Sequence, residues 1–181
     1  MIRNTYSFAW LLALLILIAP VSAEAQRGQG GGQGGPNAQA GAPTDIYRTL
    51  QTDPRFSIFA DVVQAAGLHN EMRNGGDYTV FAPTNAAFEA LPPAQLAAMT
   101  SSSNRAANAA LVQRHMLRRP MRRADAGRRS FFELRTLAGN NTYITINRDE
   151  SAYIDGGRIM EFDVAATNGV IHVVQHVLMP Q

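Results

Sequence analysis

Thr79-Val80-Phe81-Ala82-Pro83-Thr84-Asn85-Ala86-Ala87-Phe88 joins a strand to a helix across a single proline. Tyr78 to Phe81 is rich in β-forming side chains and reads as a short strand. Pro83 has no amide hydrogen to continue a ladder and ends it. Thr84 stands where a hydroxyl caps a helix, worth about 1 kcal/mol, and that helix carries Ala87, Phe88 and Leu91. Phe81 and Phe88 read as core anchors, each costing on the order of 3–5 kcal/mol if truncated.

Upstream, the pattern is helical. Thr44 or Asp45 can cap a helix bearing Ile46 and Leu50. Phe56, Phe59, Ala60, Val63 and Ala66 make an i, i+3, i+4, i+7 stripe that Gly67 stops. Gly75-Gly76-Asp77 is a turn. Downstream, Pro92-Pro93 opens a helical piece with Leu96 and Met99. Asn104 then stands to cap a helix over residues 105–117, whose stripe is Ala107, Ala110, Leu111 and Met116.

After Arg118 the period changes from helical to alternating. Phe131 to Leu134, Thr142 to Ile146, Ala152 to Ile154, Arg158 to Phe162 and Val170 to Leu178 read as strands. Gly139-Asn140 and Asp155-Gly156-Gly157 are turns between them. The last strand is apolar on both faces, as a covered central strand must be. Helices first and strands last, with no βαβ rhythm, is an α+β pattern.

The chain is 181 residues with 46% hydrophobic side chains, enough for one domain with a real core. It has no Cys, so no disulfide and no thiolate chemistry. Arg3 followed by an apolar run over residues 8–21, Pro20, and the small-x-small patterns ending at Ala23 and Ala25 predict an export signal over residues 1–25. The run falls short of the ~20 residues that span a bilayer, which disfavours an uncleaved anchor. Residues 26–43 are Gly, Gln, Asn, Ala and Pro without apolar periodicity, the composition of a flexible linker. The folded domain is expected over residues 44–181.

Three segments carry a family resemblance. The stretch from Thr79 to Phe88, with Thr79, Phe81, Pro83, Thr84, Asn85 and Phe88, is similar to the first signature box of fasciclin domains. Leu111 to Pro120, centred on His115, resembles the middle segment. Asn168-Gly169-Val170-Ile171-His172-Val173-Val174, running on to Pro180, resembles the closing box. The resemblance implies a β-sandwich wedge flanked by α-helices and a role in extracellular adhesion. Two positions depart from the family pattern. Arg114-His115 stands where a Tyr-His pair is common. Glu161-Phe162-Asp163-Val164 is similar to an acidic-x-Asp-Ile receptor motif of animal members, with Phe162 in place of Pro; as plain residues it reads as a strand edge entering the last hairpin.

All 16 basic side chains are Arg, and the net charge is only +2, yet the charge is uneven. Arg114, Arg118, Arg119, Arg122, Arg123, Arg128 and Arg129 crowd one segment whose only acid is Asp125. Repulsion at this density predicts a surface location. Guanidinium forks suit carboxylate, sulfate and phosphate, so the run is a candidate patch for acidic polysaccharide or an anionic surface. The plainer reading is a solvated face in an Arg-biased composition. Nucleic acid is disfavoured for an exported chain without a base-stacking aromatic motif. Asp163 and Val164 are the candidate contacts for an extracellular protein partner.

His172 and His176 on one strand face would stand roughly 13 Å apart, too far to share one metal ion. With no Cys and no HExxH, no metal or other cofactor is expected, and His115 and His172 read as hydrogen-bonded structural residues. No Gly-x-Ser-x-Gly elbow or paired carboxylates suggest catalysis. The expected function is a secreted, periplasmic or cell-surface binding module without enzymatic activity, a weak homo-oligomer gaining from avidity. The competing expectation is a periplasmic small-molecule carrier or enzyme using a cleft.

Overall fold

A computed structural model describes residues 44–127 and 129–179. The predicted export segment, the linker and Arg128 lie outside them, as does Pro180 of the closing box.

Helix α1 (Ile46–Thr52) is capped by Asp45, whose side chain accepts from the Arg48 amide. Pro54–Phe56 forms a 3-10 turn into α2 (Ser57–Ala66), which Gly67 ends in a left-handed conformation, φ 74°. A short α3 (His69–Asn74), unmarked in the sequence by any apolar stripe, precedes strand β1 (Tyr78–Pro83). Then come α4 (Asn85–Glu89), α5 (Pro93–Thr100) and α6 (Arg105–Arg114).

Three local expectations are corrected here. Thr84 occupies the N-cap position of α4, but its side chain makes no capping bond. Asn104 does not cap α6 either; its amide donates to the Ala98 carbonyl. And α6 stops at Arg114, because Met116–Leu117 pairs with β1 as strand β2. The buried stripe of α6 is accordingly Asn108, Leu111 and Val112, one step on from the alanines. Asn108 is tolerated inside because its amide donates to the Ser101 carbonyl at 2.9 Å.

A 3-10 turn at Arg123–Ala126 leads to β3 (Phe131–Arg135), β4 (Asn141–Ile146), β5 (Ala152–Ile154), β6 (Gly157–Ala166) and β7 (Gly169–Val174). The last strand therefore ends at Val174 rather than Leu178, and His176 lies beyond it. The seven strands form one sheet in the order β2-β1-β7-β6-β5-β4-β3. Only the β1–β7 ladder is parallel, Tyr78 opposite Gly169 through Pro83 opposite Val174. Two of the three signature boxes are thus adjacent interior strands of the sheet, β1 between β2 and β7 and β7 between β1 and β6.

The two faces of these central strands enter two apolar clusters. Val80, Ala82, Ile171 and Val173 pack with the helices, around Leu50, Phe56, Phe59 and Phe88. Phe81, Leu117 and Val174 pack instead with Phe132 and Leu134 of β3 and Ile144 of β4. Strands from opposite ends of the sheet share that second cluster, so the sheet curls around it into a wedge. This double burial is the reason the last strand reads as apolar on both faces.

Candidate functional site

The arginine run begins where β2 ends. Residues 118–122 have no strand or helix of their own, and their backbone is held by side chains of the central sheet. Thr79, fully buried, donates from Oγ1 to the Arg119 carbonyl at 2.7 Å and accepts from the Met121 amide at 2.7 Å. His172 Nε2 donates to the Met121 carbonyl at 2.8 Å. Asp163 accepts the Arg123 amide on both carboxylate oxygens, at 2.9 and 3.1 Å. The signature residues Thr79 and His172 are therefore tethers for the basic arm.

Asp163 can reach the arm because β6 bulges there. The register slips between Glu161 and Val164, and Asp163 takes a positive φ of 61°. Its own amide leaves the ladder and donates to His172 Nδ1 at 3.2 Å. Phe162 packs edge-on against the His172 ring at 5.2 Å, and the Arg123 guanidinium covers Phe162 at 5.5 Å. The Asp163 carboxylate is thus occupied internally, and Val164, half-buried, pairs with Ile171 of β7.

Both motif histidines use both ring nitrogens. In His115, fully buried, Nδ1 donates to the Leu111 carbonyl at 2.8 Å and Nε2 accepts from the Leu178 amide at 2.9 Å. An added proton would turn that acceptor against an N–H. Burial, the dominant cause, pushes the His115 pKa down to about 4. Burial also lowers His172, although the Met121 carbonyl and Asp163 act the other way.

Of the seven candidate arginines, Arg114 stands apart, which corrects the expectation that the whole run is superficial. Its side chain is 4% exposed and pairs at 3.2 Å with Asp155 in the β5–β6 turn. Asp155 is further held by the Thr142 hydroxyl and the Tyr143 amide, both at 2.8 Å. Arg118, Arg119, Arg122 and Arg129 are exposed, and Arg123 is half-exposed. Arg118 lies 3.9 Å from Glu71. Among the described residues, Arg119, Arg122, Arg123 and Arg129 have no ion-pair partner.

Arg129 lies between two shallow depressions. One, about 150 Å³, is lined by Arg119, Pro120, Met121, Asp125, Arg129 and Phe132. The other, about 240 Å³, is lined by Arg123, Gly127, Arg129, Ser130, Ile146, Asn147, Arg148 and Glu150. Arg148, which lies nineteen residues further along the sequence than Arg129, joins the cluster through the β3–β4 pairing. Sequence proximity could not have included it.

The remaining motif residues organise the helices. Asn85 accepts from the Ile58 amide and donates to the Pro54 carbonyl and the Ser57 hydroxyl, clamping the start of α2. Asn168 accepts from the Ile46 amide at 2.9 Å and donates to the Met72 and Arg73 carbonyls. Gly169, with φ 150°, passes so close to β1 that a Cβ would meet the Tyr78 carbonyl oxygen at 2.0 Å. Phe81 and Phe88 are fully buried, as expected of core anchors.

A helical layer on a curled seven-stranded sheet, with both signature asparagines tying helices to it, defines the class to which comparison with known proteins then gives a name. Residues 54–180 match the fasciclin domain family. The chain belongs to that family. It is 32% identical over 142 residues to the transforming growth factor-beta-induced protein ig-h3 of Sus scrofa, covering 75% of this chain and 19% of that protein. It is 29% identical to the uncharacterized protein sll1735 of Synechocystis sp., covering 75% of this chain and 97% of the relative. The chain thus spans about a fifth of the ig-h3 relatives and nearly all of the Synechocystis one. In fold it is similar to about half of a FAS1 domain pair from the insect cell adhesion molecule fasciclin I, with TM-score 0.66 and 17% identity over 76% of this chain and 51% of that one.

Proposed function

We propose that this fasciclin domain is an exported, non-catalytic binding module that holds anionic polysaccharide or another anionic surface through the tethered basic arm. The observation that carries the reading is the arm itself. Its backbone is fastened to buried Thr79, to His172 and to Asp163, while Arg119 and Arg122 project into solvent without carboxylate partners among the described residues. A preorganised backbone reduces the ordering cost of binding, and unpaired guanidinium forks suit bidentate oxyanions. Adhesion, suggested by the fasciclin I relative, would follow from several copies engaging one polymer.

The competing carrier or enzyme finds less support. A cavity of about 460 Å³ is an open groove lined by Glu71, Gln113, Arg118, Arg135, Thr136, Leu137 and Gly139. It contains no nucleophile paired with a base. With the Asp163 carboxylate committed to the Arg123 amide, a protein partner reading Asp163 and Val164 would first have to displace that bond.

The test is a titration of the purified chain against acidic polysaccharides, neutral polysaccharides and anionic vesicles at low and high salt. Saturable binding to the acidic ligands that weakens with salt, and is lost when Arg118, Arg119, Arg122 and Arg123 are changed to Ser, is expected. Binding that ignores both salt and the four substitutions would refute the proposal.

A further inference from the structure

The outer face of the β3–β4 hairpin carries two exposed aromatic rings in contact. Burial alternates strictly along both strands, leaving Phe131, Glu133 and Arg135 of β3 and Asn141, Tyr143 and Thr145 of β4 exposed on one side. Phe131 is 58% exposed and Tyr143 43%. Their rings stack 5.6 Å apart at 22°, making a stacked aromatic plate. The plate is fixed from behind and from the side. The Tyr143 amide donates to Asp155, and its hydroxyl donates to Glu133 at 3.3 Å.

The plate adjoins the basic depression. Ser130, next to Phe131, lines that depression and accepts the Ile146 amide at 2.8 Å. Arg129 and Arg148 flank it, with Asn147 between strand and turn. Neither arginine has an ion-pair partner among the described residues. An exposed stacked aromatic pair beside guanidinium forks and an amide complements a pyranose ring that shows a C–H face on one side and an anion at its rim. The carboxylates Asp125 and Glu150 stand among these arginines. They disfavour a polymer with several charges per sugar and fit one with a single charge per sugar.

We infer that Phe131, Tyr143, Arg129 and Arg148 form a sugar subsite for a polyuronate chain, the rings stacking a uronate residue and the arginines taking its carboxylate. The inference rests on the proposed polysaccharide reading and adds to it the hairpin face, which lies outside the arginine run.

The experiment titrates the purified chain with oligogalacturonate, its methyl ester and dextran sulfate, comparing wild type with the double variant Phe131→Ala, Tyr143→Ala. Both side chains lie outside the two cores, so the thermal midpoint should hold; Phe131→Leu, which keeps apolar area and removes the flat ring, serves if it does not. Oligogalacturonate should bind the wild type more tightly than either other polymer. The double variant should weaken it by roughly tenfold at low and high salt alike, because stacking is not screened. Replacing Arg129 and Arg148 with Ser should remove a salt-sensitive part. Unchanged oligogalacturonate affinity in the aromatic variants overturns the subsite and leaves the basic-arm reading standing. Preference for dextran sulfate does the same. Failure of the wild type to bind any acidic polymer overturns both. Self-association of the wild type that the double variant abolishes would assign the plate to a second copy and overturn the sugar subsite.

Discussion

Thr79 illustrates how one hydroxyl can set the position of a surface. It is buried, yet its single oxygen satisfies both the Arg119 carbonyl and the Met121 amide. Thr79→Val keeps the shape and strands both groups, so a loss of about 1–3 kcal/mol is expected in urea denaturation. Polysaccharide binding should weaken with it, because the arm is released. An unaltered midpoint would show the tether to be idle. The histidines act on pH. The folded pKa of His115 lies at about 4 against an ordinary value of 6.5, so between those values the unfolded chain takes up a proton that the folded chain refuses. Stability must therefore fall as pH drops from about 6.5 towards 4, with an eventual loss of about 3 kcal/mol from His115 alone. His172 and His176, also lowered chiefly by burial, act in the same direction. Asp53, which burial would raise but bonds from Arg55 hold below its usual value, contributes only at still lower pH. Urea midpoints at pH 7 and pH 4.5 check the window; equal midpoints would contradict it.

At the scale of elements, the signature boxes work as joints. Asn168 in the β6–β7 turn binds the first amide of α1 and carbonyls in the last turn of α3, and Asn85 clamps the start of α2. Asn168→Ala leaves helix-end groups without partners and should cost about 1–3 kcal/mol. Hydrogen exchange should rise first in α1 and α3; uniform exchange across the domain would argue against a local joint. Much of this layer was legible in advance. Strands β3 to β5 and helices α1, α2, α4 and α5 follow from periodicity and turn chemistry. The bounds of α6 did not, because Met116 and Leu117 suit a helix and a strand equally, and only the free edge of β1 selects the strand. The bulge at Asp163 was equally invisible, since it exists to satisfy His172 across the ladder.

Across the whole molecule, the buried Arg114–Asp155 pair fastens the helical layer to the strand-rich half, from the end of α6 to the β5–β6 turn. Removing one charge strands the other in a site where Arg114 Nε already lacks a hydrogen-bond partner among the described residues. Asp155→Asn keeps the left-handed turn that this position adopts, φ 46°, so its cost, about 3–5 kcal/mol, should reflect the lost charge together with an amide NH2 set against a donor. Thermal unfolding measures it, and a loss under about 1 kcal/mol would mean that water reaches the pair. The same charge was indistinguishable by sequence from its surface neighbours, because burial depends on which acid the fold brings within reach.

The order of most helices and strands, the covered last strand and the core role of Phe81 and Phe88 were determined by local composition and period, which act over a few residues, and the family was legible in the likeness of three segments to its signature boxes. The tethering of the basic arm, the withdrawal of Arg114, the internal use of Asp163 and the meeting of Phe131 and Tyr143 with Arg148 were decided by tertiary structure. The first three depend on groups roughly 40 to 50 residues apart in sequence, which the β1–β7 ladder and the curl of the sheet bring within hydrogen-bonding distance, and the last on groups 12 and 17 apart, which the β3–β4 pairing brings together.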